Sequence, residues 1–437
     1  MADLKQLARQ IFRKTLAAID IPATMHRKLS RHGTRLACGE KNIDLSAFEK
    51  LRVVAIGKAG HAMVDGLVGV LAPFVRFEGV VSAPTAPRKA LPGMKYFVSG
   101  HPLPNEDSWR AAESILALLK KCDEKTLVFF LLSGGGSALV ELPLDPRQTL
   151  QDVQQLHREL VTCGAPIEDM NTVRKHLSAV KGGRLSQAAG SAAKITLAVS
   201  DVPAGKEWAL ASGPTLPDPT TIVDTNRIIA EYGLAAKFSQ PLRRWLEGHQ
   251  MPETPKANDK AFQNAHFSLL LGMDDLFHPA HRAAESEGFV TCCDNSTDDL
   301  PVEKAAESLL AQIEELRRIH GKQRVALIAD GEVSSPVTAD GTGGRNSAFV
   351  LACVERIAGK GIAVLSAGTD GIDGNSPGAG AVADGDTLAR ARAMGLDPGD
   401  AARRSDAFTF FSKLDDTIIT GPTGNNLRDL RILLAEP

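Results

Sequence analysis

Short apolar runs rich in β-branched residues recur along this chain, and stretches of helical spacing separate them. RVVAIG (52–57) precedes a helical stretch over 61–71. GVVSA (79–83), KYFVSG (95–100), TLVFFLL (126–132) and KITLAVS (194–200) follow, and TLVFFLL is the clearest buried strand. Strands that alternate with helices form a parallel sheet with helices on both faces. That alternation restricts the chain to an α/β fold. A second series, HFSLLLG (266–272), FVTCC (289–293), RVALIAD (324–330) and IAVLSAG (362–368), begins after a more polar stretch over 233–263 with Gly248, Pro252 and Pro255. The pattern predicts two domains, 1–240 and 241–437, with a cleft between them.

With 437 residues, 43% hydrophobic and 23% charged, the chain can bury a substantial core without staples. A net charge of -2 supplies no basic field for nucleic acid or an anionic membrane, and 5% aromatics argue against a base-stacking surface. None of the six cysteines forms a CxxC pair, so they read as buried thiols of a reducing compartment. MADLKQLARQIFRKTLAAID has helical spacing and no signal-peptide core, and no apolar run approaches the length of a membrane span. A cytoplasmic protein is expected.

Three glycine-bounded turns carry cations or hydroxyls. Gly57-Lys58-Ala59-Gly60 ends the strand at 52–57 and enters a helix. A lysine there faces the positive end of the helix dipole, at a cost of a few tenths to ~1 kcal/mol. A bound anion reverses that sign, because backbone N–H groups and the ammonium then point at it. The plain alternative is a solvated lysine in a tight turn. Ser133-Gly134-Gly135-Gly136-Ser137 can form a nest of N–H groups around a phosphate, with two hydroxyls at hand. The alternative is an ordinary strand-to-helix turn. GTGGRN (341–346) puts Arg345 at another helix start. Neither Lys58 nor Gly134–Gly136 completes a standard nucleotide motif. GxxxxGK[ST] is absent, and Leu139 stands where a GxGxxG run needs its third glycine.

In MNTVRKHLSAVKGGRL (170–185) the pattern predicts a helix with Arg174 and Lys181 about two turns apart on one face, ended by Gly182-Gly183. Such a cluster is a solvated face or a holder of carboxylate or phosphate. Acids gather at strand ends: Asp201, the pair Asp330 and Glu332, and Asp370, Asp373 and Asp384 in GTDGIDGNSPGAGAVAD (368–384). Carboxylates so placed suit Mg²⁺, which takes one or two of them plus substrate phosphates, or they accept a hydroxyl proton. EF-hand, HExxH and GxSxG patterns are absent. Two glycine cradles, several cations and several acids are the parts that phosphoryl transfer needs.

The chain resembles glycerate 2-kinases of the type whose C-terminal domain is called MOFRL. The matching stretches are GKAG (57–60), GHPLPNE (100–106), LLSGGGSALVELP (131–143), MNTVRKHLSAVKGGRL (170–185), ASGPTLPDPTT (211–221), GTGGRN (341–346), SAGTDGIDG (366–374) and TGPTGNNLRDLR (420–431), in the family's order. The resemblance implies a Rossmann-like N-terminal domain, a C-terminal α/β domain with a mixed sheet and an active site in the cleft. It implies phosphorylation of the 2-hydroxyl of D-glycerate, with ATP as co-substrate and Mg²⁺. It matches Lys58, Arg345 and Asp201 to catalytic positions. Gly57, Gly60, Ser133, Gly134, Gly135, Gly136 and Ser137 fall to phosphate, and Arg174, Lys181 and Asn346 to substrate. Asp201, Asp370 and Asp373 fall to the metal, which makes loop 368–384 a substrate- and metal-facing rim with glycines for close approach. Three departures stand out. The family follows SDV with a residue and then Gly-Asp, where this chain has Pro203, Ala204, Gly205 and Lys206. Asp330 stands in the place of a glycine, and Asn425-Asn426 in that of Thr-Asn. Members often carry the name hydroxypyruvate reductase. The rival readings are therefore an NAD(P)H-dependent reductase, a kinase of another small sugar acid, and a non-catalytic nucleotide- or anion-binding protein. A homodimer is one assembly open to the chain.

Overall fold

The most apolar run, Thr126–Ser133, is a strand with every residue buried, which places it inside a sheet covered on both faces. The computed structural model describes residues 3–71, 77–202, 205–425 and 427–437. Pro203, Ala204 and Asn426 lie outside the described residues. The chain divides into two compact units, Ile21–Gly272, and Met273–Pro437 with Met1–Asp20.

In Ile21–Gly272, β1 (Leu29–His32), β2 (Arg35–Cys38) and β3 (Lys41–Asp44) form a small antiparallel sheet. The main sheet contains β4 (Lys50–Ile56), β5 (Phe77–Ala83), β6 (Met94–Val98), β7 (Thr126–Ser133), β8 (Ala193–Val199) and β9 (Ala265–Leu271). Its order is β6-β5-β4-β7-β8-β9, with every neighbouring pair parallel. Counted from β4 this is the doubly wound order 3-2-1-4-5-6, whose ligand crevice lies beyond the carboxyl ends of the strands where the order reverses. Here that point is between β4 and β7. Val54, Ile56, Val128, Phe130 and Leu132 share one core with Ala111, Ile115 and Leu119 of the helix Glu106–Leu119.

The other unit carries β10 (Val290–Asp294), β11 (Val325–Asp330), β12 (Ile362–Gly368), β13 (Gly380–Asp384), β14 (Thr417–Ile418) and β15 (Asp429–Ala435). Their order is β10-β11-β15-β12-β13-β14; β10 and β11 are parallel and the other pairs antiparallel. The sheet is mixed, as expected.

The division differs from the expected break at 240/241. That point falls at the start of the helix Gln240–Gly248, whose Leu242 and Trp245 pack with Leu156, Val173 and Ile228 of the first unit. HFSLLLG does not open the second sheet; it is β9, parallel to β8 in the first. The helix Leu4–Ala18, expected in the first domain, belongs to the second unit. It buries Ala8, Ile11 and Phe12, and Arg9 donates to Thr417 O at 2.8 Å. Among the described residues no helix is long and apolar enough to cross a membrane.

Candidate functional site

The turns after β4 and β7 meet at the switch point. Lys58 N–H donates to Gly134 O at 3.0 Å and Ala59 N–H to Ser133 Oγ at 3.0 Å. Gly57 has φ 132°, and a Cβ there would overlap Ser133 Oγ and lie 2.6 Å from Ser133 O. Only glycine permits this approach. The helix Gly60–Leu71 leaves the first turn and the short helix Gly136–Leu139 the second. Lys58, Gly57, Gly60 and Gly134–Gly136 are thus brought together, with Lys58 and Gly135 half-buried. Ser133 differs from its expected ligand-facing place. It is fully buried, and its oxygen ties the two turns. Asp201 stands half-buried just beyond the carboxyl end of β8, the strand beside β7.

A polar chain runs from the glycine turn to Arg174. Ser137 Oγ lies 2.7 Å from Ser212 Oγ, Ser212 Oγ donates to Asn171 Oδ1 at 3.3 Å, and Arg174 Nη1 donates to the same oxygen at 3.3 Å. Arg174 is 9% exposed, and its Nε has no hydrogen-bond partner among the described residues. Burial lowers its pKa, opposed by the charge of Glu141. Asn171 and Ser212 had no role in the sequence reading; both lie within motifs, but only the fold sets them side by side.

Lys181 is corrected. The helix ends at Leu177, where Ser178 turns extended and bridges Pro143, so Lys181 shares no helical face with Arg174. Its ammonium, 1% exposed, contacts Glu141 Oε2 at 2.6 Å and Val140 O at 3.1 Å. Burial pushes the Glu141 carboxyl up, but Lys181 and His157 outweigh it and hold it at about 2. The neighbouring basic side chains are similarly engaged: Lys175 with Asp218 at 2.6 Å, His176 with Glu253 at 2.9 Å, and Arg184 with Lys175 O at 3.0 Å.

In the second unit, Arg345 begins the helix Arg345–Val354, but the anion at that helix start is the protein's own. Asp373 Oδ1 accepts from Asn346 N–H at 2.9 Å, and Oδ2 from Ser347 N–H at 2.9 Å and Ser347 Oγ at 2.6 Å. Asp373, expected as a metal ligand, has its carboxylate engaged by three donors as a cap of this helix. Asn346, expected at the substrate, is 2% exposed, and its Oδ1 accepts from Ser366 Oγ at 2.6 Å. Arg345 is held from two sides, by Asp429 Oδ2 at 2.6 Å and by Glu332 at 2.8 Å. Burial alone would lower its pKa; the two carboxylates raise it. Asp429 is buried and Glu332 half-exposed. The rim reading of loop 368–384 also changes. A Cβ on Gly344 or Gly374 would overlap the backbone of the opposite loop, so these glycines let two loops of the protein pack. Asp370 is half-buried, and its Oδ1 accepts from Ile372 N–H at 3.0 Å.

Asp330 is fully buried, and neither carboxylate oxygen has a hydrogen-bond partner among the described residues. Burial raises its pKa to about 6, with Asp298 adding to the rise and Arg428 opposing it. Arg428 itself is paired with Asp298. Among the described residues no three acids, histidines or cysteines gather as a metal cage. Mg²⁺ needs only one or two carboxylates when phosphates supply the rest. Asp201 fits that demand by position, and Asp373 does not.

Fold and site define an α/β protein with a doubly wound sheet and, at its switch point, two packed glycine turns that carry a lysine. A domain of unknown function (DUF4147) matches residues 7–247, and the MOFRL family matches residues 325–429. A D-glycerate 2-kinase of Thermotoga maritima is 32% identical over 98% of both chains. A protein of Agrobacterium vitis, provisionally named a hydroxypyruvate reductase, is 37% identical over 87% of this chain and 86% of its own. The crystal structure of a glycerate kinase of Thermotoga maritima superposes with a TM-score of 0.83 at 31% identity, covering 99% of each chain. The chain belongs to the family of MOFRL-type glycerate 2-kinases.

Lys181→Ala leaves Glu141 buried without its main counter-charge, and should cost about 3–5 kcal/mol of stability in urea unfolding. Unchanged stability with lost substrate affinity would restore Lys181 to the site. For Asp330 the folded chain holds a proton between about pH 4 and pH 6 that the unfolded chain releases, so stability falls as pH rises through that window. Asp330→Asn removes this dependence. Its stability relative to wild type should rise by roughly 3 kcal/mol from pH 4 to pH 7, at about 1.4 kcal/mol per pKa unit. A pH-independent difference between the two proteins would contradict the assignment.

Proposed function

We propose that this protein transfers the terminal phosphoryl group of ATP to the 2-hydroxyl of D-glycerate, giving 2-phosphoglycerate and ADP. The observation that carries the reading is likeness to a D-glycerate 2-kinase over 98% of the chain. The switch-point crevice supplies parts that suit the reaction. Transfer of a phosphoryl group is mainly positioning and charge neutralisation. Lys58 offsets the charge that develops on the transferring group, and Gly57 and Gly60 shape the turn that presents it. Gly134–Gly136 and Ser137 cradle the phosphates. Arg174, reached through Asn171 and Ser212, takes the glycerate carboxylate on its Nε, which has no partner among the described residues. As the glycerate oxygen forms its bond to phosphorus, the bond to the ADP oxygen breaks and Asp201 takes the hydroxyl proton. Asp370, or Asp201 if Asp370 takes the proton instead, would hold Mg²⁺, which would supply charge neutralisation at the phosphates. Arg345 of the second unit, anchored by buried Asp429, offers its guanidinium when half-exposed Glu332 releases it. The reading includes a cytoplasmic location and small-molecule partners only, in keeping with the net charge of -2.

A reductase reading draws on the provisional name of the Agrobacterium relative and on the strand order. The first turn opposes it, since buried Ala59 stands where the dinucleotide fingerprint needs its second glycine. The end of β5 opposes it as well: Ser82-Ala83 carries no acid for a ribose. Purified protein given hydroxypyruvate and NADH should leave nicotinamide absorbance unchanged.

An ADP-release assay over C3 and C4 sugar acids, with and without Mg²⁺, tests the kinase reading. Lys58→Ala should lower kcat by at least about a hundredfold, the scale of losing one preorganised charge-stabilising group, while the unfolding midpoint stays put. Wild-type turnover in that variant would remove Lys58 from the mechanism.

A further inference from the structure

A third loop reaches the same crevice. β6 is the edge strand, and the chain leaving it must pass the ends of β5 and β4 to return to β7. Its first residues are fixed on both sides. Ser99 N–H donates to Ala83 O at 2.9 Å, and Ser99 Oγ lies 2.7 Å from Ser82 Oγ. Gly100 N–H and Asn105 N–H both donate to Ser108 Oγ at 3.1 Å, and Asn105 caps the helix Glu106–Leu119. Between these anchors stands His101, exposed to solvent. Its ring rests on the triple-glycine turn. A Cβ built on Gly135 would lie 3.2 Å from His101 Cδ2 and 3.3 Å from Nε2, and equally 3.3 Å from Lys58 Cγ. The imidazole and the lysine stem therefore border one glycine, and any side chain at Gly135 would crowd both.

Two neighbours of this imidazole suit an anion, the triple-glycine turn and Lys58, and the twelve-residue helix Gly60–Leu71 starts two residues after that lysine. An imidazole donates an N–H in either of its protonation states. A side chain held by a locked loop on a rigid sheet edge is placed as a ligand contact should be.

We propose that His101 is a further phosphate-contacting residue of the crevice, donating a ring N–H to the anion that Lys58 and Gly134–Gly136 receive. The identity of that anion as the ATP phosphates rests on the kinase reading. The stated role requires the donor, not the bulk. His101→Phe keeps the ring's packing and removes the donor, whereas His101→Gln keeps an N–H donor of similar reach.

The test measures ATP binding by calorimetry and ADP release with D-glycerate on wild type and both variants. His101→Phe should weaken ATP binding and raise KM for ATP by at least about tenfold, the scale of one hydrogen bond to a charged group. His101→Gln should recover part of the loss, and all three proteins should unfold at the same temperature. ATP binding and KM within twofold of wild type in His101→Phe would overturn the role and leave the kinase reading standing. Equal losses in both variants would also overturn it, because the donor would then not matter. Wild-type protein that binds ATP without releasing ADP would end the kinase reading, and the binding comparison would still decide the role of His101. Wild-type protein that binds no ATP would overturn both.

Discussion

The contact between Gly57 and Ser133 sets the rest of the crevice. With no side chain at Gly57, the backbone of the first turn lies directly on Ser133, and the N–H groups of Lys58 and Ala59 bond across to the second turn. Two crossovers that diverge to opposite ends of the sheet are thereby joined where they start. The topology determines that these turns are neighbours, since β4 and β7 are adjacent parallel strands and the order reverses between them. Glycine determines how near they come. Lys58 and Gly135 take their positions from that pairing, and the loop anchored at Ser99 and Ser108 brings His101 to the same glycine.

Around the crevice the protein compensates its buried charges closely. Lys181 with Glu141 and Lys175 with Asp218 are nearly or fully closed to water. Such pairs gain little net stability over apolar packing, yet removing one member is costly because the other is left charged and buried. They fix the loops that follow the helix Ile167–Leu177 and leave Arg174 with a donor to offer. In the second unit Arg345 meets two carboxylates, one buried and one half-exposed. That arrangement orients the guanidinium and makes its charge available only by exchange of a partner. Asp330 differs: among the described residues its buried carboxylate has no donor, which is tolerated because burial holds its proton to about pH 6.

Much of the fold was legible because fully buried strands write themselves as apolar runs. TLVFFLL and RVALIAD needed no tertiary information. β15 was missed although it lies in the middle of its sheet, because it arrives at the chain's end with no helix to announce it. β9 was placed in the wrong unit because strand character says nothing about which edge a strand joins. The site was legible in part. Lys58 and the triple glycine stood out in their turns, because glycine next to a strand end has few structural explanations, and the fold sets those turns side by side. Lys181, Asn346 and Asp373 could not, since a polar residue that closes an internal hydrogen bond has the same letter as one that meets a substrate. The contacts of Asp429 with Arg345 and of the His101 ring with the glycine turn were hidden for another reason: each pairs residues far apart in sequence.

The central claim is that the turns after β4 and β7 together receive the phosphates of ATP. Hydrogen–deuterium exchange of the intact protein, with and without ATP and Mg²⁺, tests it most directly, because amide exchange reports which backbone N–H groups a ligand covers or steadies. The account predicts slowed exchange at 57–62 and at 133–138 together. Slowed exchange confined to other segments, with both turns unchanged at saturating ATP, would contradict it.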